Sequence, residues 1–173
     1  MRKILVTGAL GQIGSELTRS LRNIYGVENV IASNRRFKEG HEELIESGPF
    51  EIVDISKGDV VSEVVKKHKV NTIINLAAIL SAVGEENPMA CWDINMNGLI
   101  NILKVGKDED CQVFNPSSIA AFGPSTPPDD TPQDTIQRPT TMYGVTKVSG
   151  EILCDYYFQK FGVDTRGVRF PGL

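Results

Sequence analysis

The chain has 173 residues, 40% hydrophobic and 23% charged, with a net charge of −4. Single domains commonly fall between about 50 and 250 residues, so one domain over 1–173 with a real core is expected, and a disordered polar chain is excluded. Lysines and arginines scattered among acids argue against a nucleic-acid surface, which needs a basic stripe, and favour a small-molecule partner.

The opening stretch "MRKILVTGALGQIG" is not a signal peptide, because glycines and Gln12 interrupt any apolar core. No run approaches the roughly 18–20 apolar residues of a membrane span. A cytoplasmic protein without a membrane partner is expected. Residues 3–7, "KILVT", read as a buried strand ending at glycines; "NVIAS" at 29–33 and "FEIVD" at 50–54 repeat the pattern. Between the first two, Ile13, Leu17, Leu21 and Ile24 recur at helical spacing and Gly26 supplies a stop. "VNTIINLAA" at 70–78 and "CQVFNPSS" at 111–118 add two strands, each after a helical stretch, near 57–68 and 89–106. A helix over 141–161 then leads to a sixth strand, "VDTRGVRF", at 163–170. Strands alternating with helices predict an α/β fold: a doubly wound, Rossmann-type parallel sheet of six or more strands flanked by helices. The long irregular segment 122–141, rich in Pro, Asp and Thr, has the length of a functional loop. Cys91, Cys111 and Cys154 are odd in number and widely spaced, which suits reduced structural thiols and neither a disulfide framework nor a zinc site.

"TGALGQIG" places Gly8, Gly11 and Gly14 directly after the first strand and opening the first helix. The first glycine permits a tight turn, the second lets backbone N–H groups approach a pyrophosphate, and the third lets helix and strand pack closely. The helix N-terminus then favours the anion. A carboxylate ending the second strand would bind a ribose diol and repel a 2′-phosphate. Here that position is Asn34, followed by Arg35 and Arg36. Asparagine can still bond a hydroxyl, and the arginines either pair with a 2′-phosphate or are solvated, so NAD and NADP both stay open. Asp54, ending the third strand before Ile55, either accepts from an adenine amino group or caps the segment beginning at Ser56.

Tyr143 and Lys147 are four residues apart in a helical run, hence on one face. A phenol with a pKa near 10 needs nearby positive charge to act as a base at neutral pH, and Lys147 can supply it. Ser117 and Ser118 fall at a strand's carboxyl end, where doubly wound sheets bind ligands; their hydroxyls either orient a substrate alcohol or cap the following turn.

Together, "TGALGQIG", "NLAA" at 75–78, "SSIAAFG" at 117–123 and "YGVTK" at 143–147 resemble the extended short-chain dehydrogenase/reductase superfamily, in its NAD-dependent epimerase/dehydratase branch. "AAILSAVGEENP", "DINMNG", "RPTTMYGVTK" and a terminal "RFPG" are similar to epimerase-like L-threonine 3-dehydrogenases, with overlap to nucleotide-sugar epimerases and dehydratases. The resemblance implies Tyr143 as base, Lys147 bound to the nicotinamide ribose and lowering the phenol's pKa, and Ser118 bonded to the reacting oxygen. It implies NAD held by Gly8, Gly11, Gln12, Ile13, Gly14, Asn34, Arg35, Asp54, Ile55, Leu76, Ala77, Ala78, Asn95, Tyr143 and Lys147, with Ala77 and Ala78 leaving room for its pyrophosphate and ribose and Asn95 near Lys147. Ser81, Gly84, Ser117, Ser118 and Tyr143 would face the amino acid, and threonine would yield 2-amino-3-oxobutyrate. It further implies a homodimer through helices 89–106 and 141–161, with Cys91, Trp92, Met96, Leu153, Tyr156 and Tyr157 either as apolar material for that contact or, for half of them, facing the sheet. Two departures stand out. Asn34 replaces the expected acid, and the family continues past "PG" into a substrate lobe that is largely absent from a chain stopping at Leu173. A non-catalytic dinucleotide-binding module is the alternative from another class.

Overall fold

The computed structural model describes residues 2–171. Its strands are β1 (Ile4–Thr7), β2 (Val30–Asn34), β3 (Phe50–Ile52), β4 (Thr72–Asn75), β5 (Gln112–Phe114), β6 (Ser117–Ser118), β7 (Thr165–Arg166) and β8 (Arg169–Phe170). Six form one parallel sheet in the order β3-β2-β1-β4-β5-β7, and β6 pairs with β8. The order reverses between β1 and β4, so the crevice for a ligand opens beyond the carboxyl ends of these two strands.

The helices are α1 (Gln12–Tyr25), α2 (Glu42–Glu46), α3 (Gly58–His68), α4 (Ser81–Glu86), α5 (Pro88–Trp92), α6 (Gly98–Asp108) and α7 (Met142–Phe161). Strand side chains alternate between two apolar layers, which is why the runs read as continuously hydrophobic. Leu5, Ile31, Ile73 and Val113 pack with Val61 and Val65 of α3, Leu99, Ile102 and Leu103 of α6, and Tyr157 of α7. Ile4, Val6, Val30, Ala32 and Ile74 pack on the other side with Leu17 and Leu21 of α1. Asn87 starts α5, its side chain accepting from the Ala90 N–H at 3.1 Å with Pro88 next. Thr141 starts α7 by accepting from the Gly144 N–H at 3.0 Å, and Gly162, at φ 72°, ends it.

Several elements differ from expectation. The strands expected over 111–118 and 163–170 each break in two. Pro116 has no N–H for the ladder, and a Cβ on Gly167 would lie 2.5 Å from the Asn115 carbonyl. The chains stay paired through the bend, since Asn115 N–H donates to Arg166 O and Ser117 N–H to Val168 O, both at 2.8 Å. The strand expected over 70–78 is shorter because Leu76 and Ala77 pass against Gly8. The helix expected over 89–106 is α5 and α6 joined by a π turn, Asp93–Asn97. Ile24 is 71% exposed; Arg22 is buried in its stead, donating to Leu44 O, Ser47 Oγ and Pro49 O at 2.6–2.9 Å. Helices α2 and α4 are too short to leave a periodic signal. Segment 122–141 does lack helix and strand. Among the dimer residues named, Cys91, Met96 and Tyr157 are buried within the fold. Among the described residues no helix is long and apolar enough to cross a membrane, and no cluster suits a metal ion. Of the terminal "RFPG", Gly172 lies outside the described residues, as does Leu173.

Candidate functional site

Gly8 turns the chain off β1 with φ 67°, and a Cβ there would sit 2.8 Å from Ala77 N. At Gly14 a Cβ would come within 2.2 Å of Gly8 O. These two glycines are steric requirements of the strand-turn-helix join. Gly11 differs: the nearest atom to its added Cβ is Gly8 O at 3.2 Å. It is the residue before α1, and no side chain caps that helix. The first helical bond runs from Ser15 N–H to Gly11 O, so helix geometry leaves the amides of Gln12, Ile13 and Gly14 without intrahelical acceptors. That is an anion cradle of the kind a pyrophosphate needs.

A cleft runs to both sides of this turn. One side is a cavity of about 430 Å³, lined by Gly8, Leu10, Gly11, Asn34, Arg35, Arg36, Lys38, Val53, Asp54, Ile55, Ala77, Ala78 and others. Asn34 Nδ2 donates to Arg36 O at 2.9 Å, and Lys38 Nζ to Leu10 O at 3.3 Å. Asp54 Oδ1 accepts from both Ser56 N–H and Ser56 Oγ, at 3.0 and 2.8 Å. It therefore orders the turn before α3 while lining the cavity; α3 itself starts later, after Lys57.

The other side, of about 340 Å³, is lined by Gly11, Gln12, Ile13, Gly14, Leu76, Ala78, Leu80, Ser117, Ser118, Tyr143, Lys147 and Phe170 among others. The first turns of α7 bring Tyr143 and Lys147 here, with Lys147 Nζ 5.2 Å from the Tyr143 ring centre. Lys147 Nζ donates to Pro116 O at 2.9 Å. Burial draws its pKa down to about 8. Burial also pushes the Tyr143 phenol up, and the Ser118 hydroxyl pulls it partly back. The expected lowering of the phenol by Lys147 is not seen in the protein alone: burial has the largest effect on Tyr143, and Ser118 is the group that opposes it. Ser118 Oγ accepts from Ala120 N–H at 3.1 Å, so the serine also caps the following turn.

Asn95 sits in the π turn, beside Lys147 in a small internal cavity. Its Oδ1 accepts from Ile79 N–H at 2.8 Å, and its Nδ2 donates to Ile79 O and Thr146 Oγ1 at 3.0 and 3.1 Å. The amide thereby ties the loop after β4 to α7. Ser117 is buried, lines this side of the cleft and donates its hydroxyl to Glu151 Oε1. Ser81, half-buried at the start of α4, is not among the residues lining the cleft; Leu80 is. Gly84 is buried, and a Cβ there would lie 3.0 Å from Cys91 Sγ, so its smallness lets α4 approach α5 and Tyr143.

Other contributors are not apparent from motifs. Thr7 Oγ1 donates to Asn75 Oδ1 at 2.7 Å, and Asn75 Nδ2 to Asn115 Oδ1 at 2.9 Å, linking three strand ends. Glu151 receives Arg169 Nε and Nη2 at 2.9 and 2.7 Å and Gln137 Nε2 at 3.0 Å. This network joins α7, β6, β8 and the 122–141 segment. Glu85 accepts from Met142 N–H at 2.6 Å at the start of α7. Such pairs are 14 to 68 residues apart, and spacing alone carries no signal for them. The cradle, its flanking cavities and the polar groups at both ends fit a dinucleotide.

The family model described as the NAD dependent epimerase/dehydratase family matches residues 4–173. An uncharacterized epimerase/dehydratase of Staphylococcus saprophyticus is 56% identical over the whole chain, which covers 54% of that protein. The L-threonine dehydrogenase structure from Clostridium difficile superimposes with a TM-score of 0.97 at 65% identity, over 99% of this chain and 54% of that one. L-Threonine 3-dehydrogenase from Trypanosoma brucei gives 0.96 at 40% identity, over 99% and 54%. The chain thus spans about half the length of the curated relatives it matches.

Proposed function

We propose that this chain, which belongs to the NAD dependent epimerase/dehydratase family, carries the dinucleotide-binding and proton-transfer machinery of a dehydrogenase that oxidises L-threonine to 2-amino-3-oxobutyrate with NAD. The observation that carries the reading is the convergence of Ser118, Tyr143 and Lys147 on one cleft with the glycine turn. The likeness to L-threonine dehydrogenases supports the substrate.

The bound cofactor supplies a hydride acceptor at C4 of its oxidised nicotinamide, and the hydride comes from the carbon bearing the alcohol. Tyr143 Oη takes the hydroxyl proton as that carbon becomes a carbonyl. Lys147, whose ammonium Pro116 O holds at 2.9 Å, would hold the cofactor's ribose and stabilise the phenolate. Ser118 hydrogen-bonds the reacting oxygen. Burial raises the phenol in the protein alone, and an oxidised nicotinamide would supply further positive charge favouring the phenolate.

Reduction of NAD by L-threonine, followed as NADH absorbance, tests this. Turnover of a nucleotide sugar with none of threonine would reassign the substrate, and dinucleotide binding without any turnover would leave a binding module. The three free thiols support a reducing compartment, the cytoplasm. Exposed Met89, Trp92, Ile152 and Tyr156 on α5 and α7 support self-association through these helices.

A further inference from the structure

We propose that the adenosine end of the cleft accepts a 2′-phosphorylated dinucleotide as well as an unphosphorylated one, with Arg35, Arg36 and Lys38 binding the phosphate; the proposal rests on the dinucleotide reading above. Three observations converge. First, the residue ending β2 is an amide, and its Nδ2 donates to Arg36 O at 2.9 Å. A carboxylate cannot make that bond, having no proton to give. Asn34 therefore removes the charge that would repel a 2′-phosphate, and it folds back the loop carrying the two arginines.

Second, Arg35, Arg36 and Lys38 all line the same cavity as Asn34 and Gly11. Lys38 spans from this loop to the glycine turn, where it reaches Leu10 O at 3.3 Å, so its ammonium is held at the cavity wall. Third, none of the three forms an ion pair among the described residues. Asp54 is the one carboxylate lining this cavity among the described residues, and its Oδ1 is engaged by Ser56. Three cations against one committed acid, with guanidinium forks available, is the chemistry of a phosphomonoester site.

The test is calorimetric titration of the protein with NAD, with NADP, and with 2′,5′-ADP, which carries the phosphorylated adenosine end alone. NADP is expected to bind within about tenfold of NAD, and 2′,5′-ADP to compete with both. The double variant Arg36→Ala/Lys38→Ala should weaken NADP by at least about tenfold while NAD changes less than about threefold. Asn34→Asp should act in the same direction, and NAD binding reports that each variant is folded. NAD binding with NADP weaker by more than about tenfold, or variants that weaken both dinucleotides equally, would overturn the proposal and leave the dinucleotide reading intact. Binding of neither dinucleotide would overturn both.

Discussion

Lys147 is a cation kept where a cation is costly. Its ammonium has the Pro116 carbonyl at 2.9 Å, yet burial draws its pKa from 10.5 to about 8. The folded state binds its proton less tightly than the unfolded chain, so the penalty is full below about pH 8 and is relieved as pH rises toward 10.5. Lys147→Met is therefore expected to raise stability at pH 7 by about 2 kcal/mol, after allowing for the lost hydrogen bond, with the gain shrinking above pH 8 in thermal melts. Glu151 has the opposite sign. Burial pushes its carboxyl up, but hydrogen bonds from Arg169, Ser117 and Gln137 overcome this and hold it below the ordinary 4.5. Its contribution is complete above that value and is lost as pH falls through the lower folded one. Glu151→Gln should cost about 2 kcal/mol at pH 7 and much less in acid, read from urea midpoints across pH. The Tyr143 and Lys147 pairing was legible in the sequence because i and i+4 spacing is a property of any helix. The engagement of Ser117 by Glu151 was not, since that partner is 34 residues away and reaches it only through packing. Lys38 carried no motif, and only the fold of the loop brings it to the glycine turn.

At the level of elements, the glycine turn separates packing from binding. A Cβ at Gly14 would meet Gly8 O at 2.2 Å, whereas at Gly11 the same addition stays 3.2 Å away. Gly14→Ala should destabilise by about 1–3 kcal/mol and lower the melting temperature by several degrees. Gly11→Ala should lower the melting temperature less than Gly14→Ala, since Gly8 O has only to give by a small fraction of an ångström, while weakening NAD by about tenfold because the methyl occupies the approach to the helix amides. Strand and helix order could be read from apolar runs and glycine stops. The bend after β5 could not, although Pro116 and Gly167 are both visible, because its geometry depends on two strands meeting at those residues. The π turn is likewise invisible to a 3.6-residue period, yet it carries Asn95 to Ile79 and Thr146.

For the whole molecule, alternating elements predicted a doubly wound sheet, and the order β3-β2-β1-β4-β5-β7 places the switch point beside the glycine turn. Helix α7 is apolar on more than the face it buries: Ile152 is 62% and Tyr156 50% exposed. Light scattering coupled to size exclusion should find a dimer at micromolar concentration, and Ile152→Glu/Tyr156→Lys should give a folded monomer; a native monomer would remove the assembly proposal. The central claim is proton transfer at Tyr143 coupled to dinucleotide reduction. The most direct measurement is the rate of NADH formation from L-threonine and saturating NAD by the protein and by its Tyr143→Phe variant. The account predicts turnover by the native protein and a loss of at least about a hundredfold in the variant. Equal rates in the two, or no turnover by either with NAD bound, would contradict it.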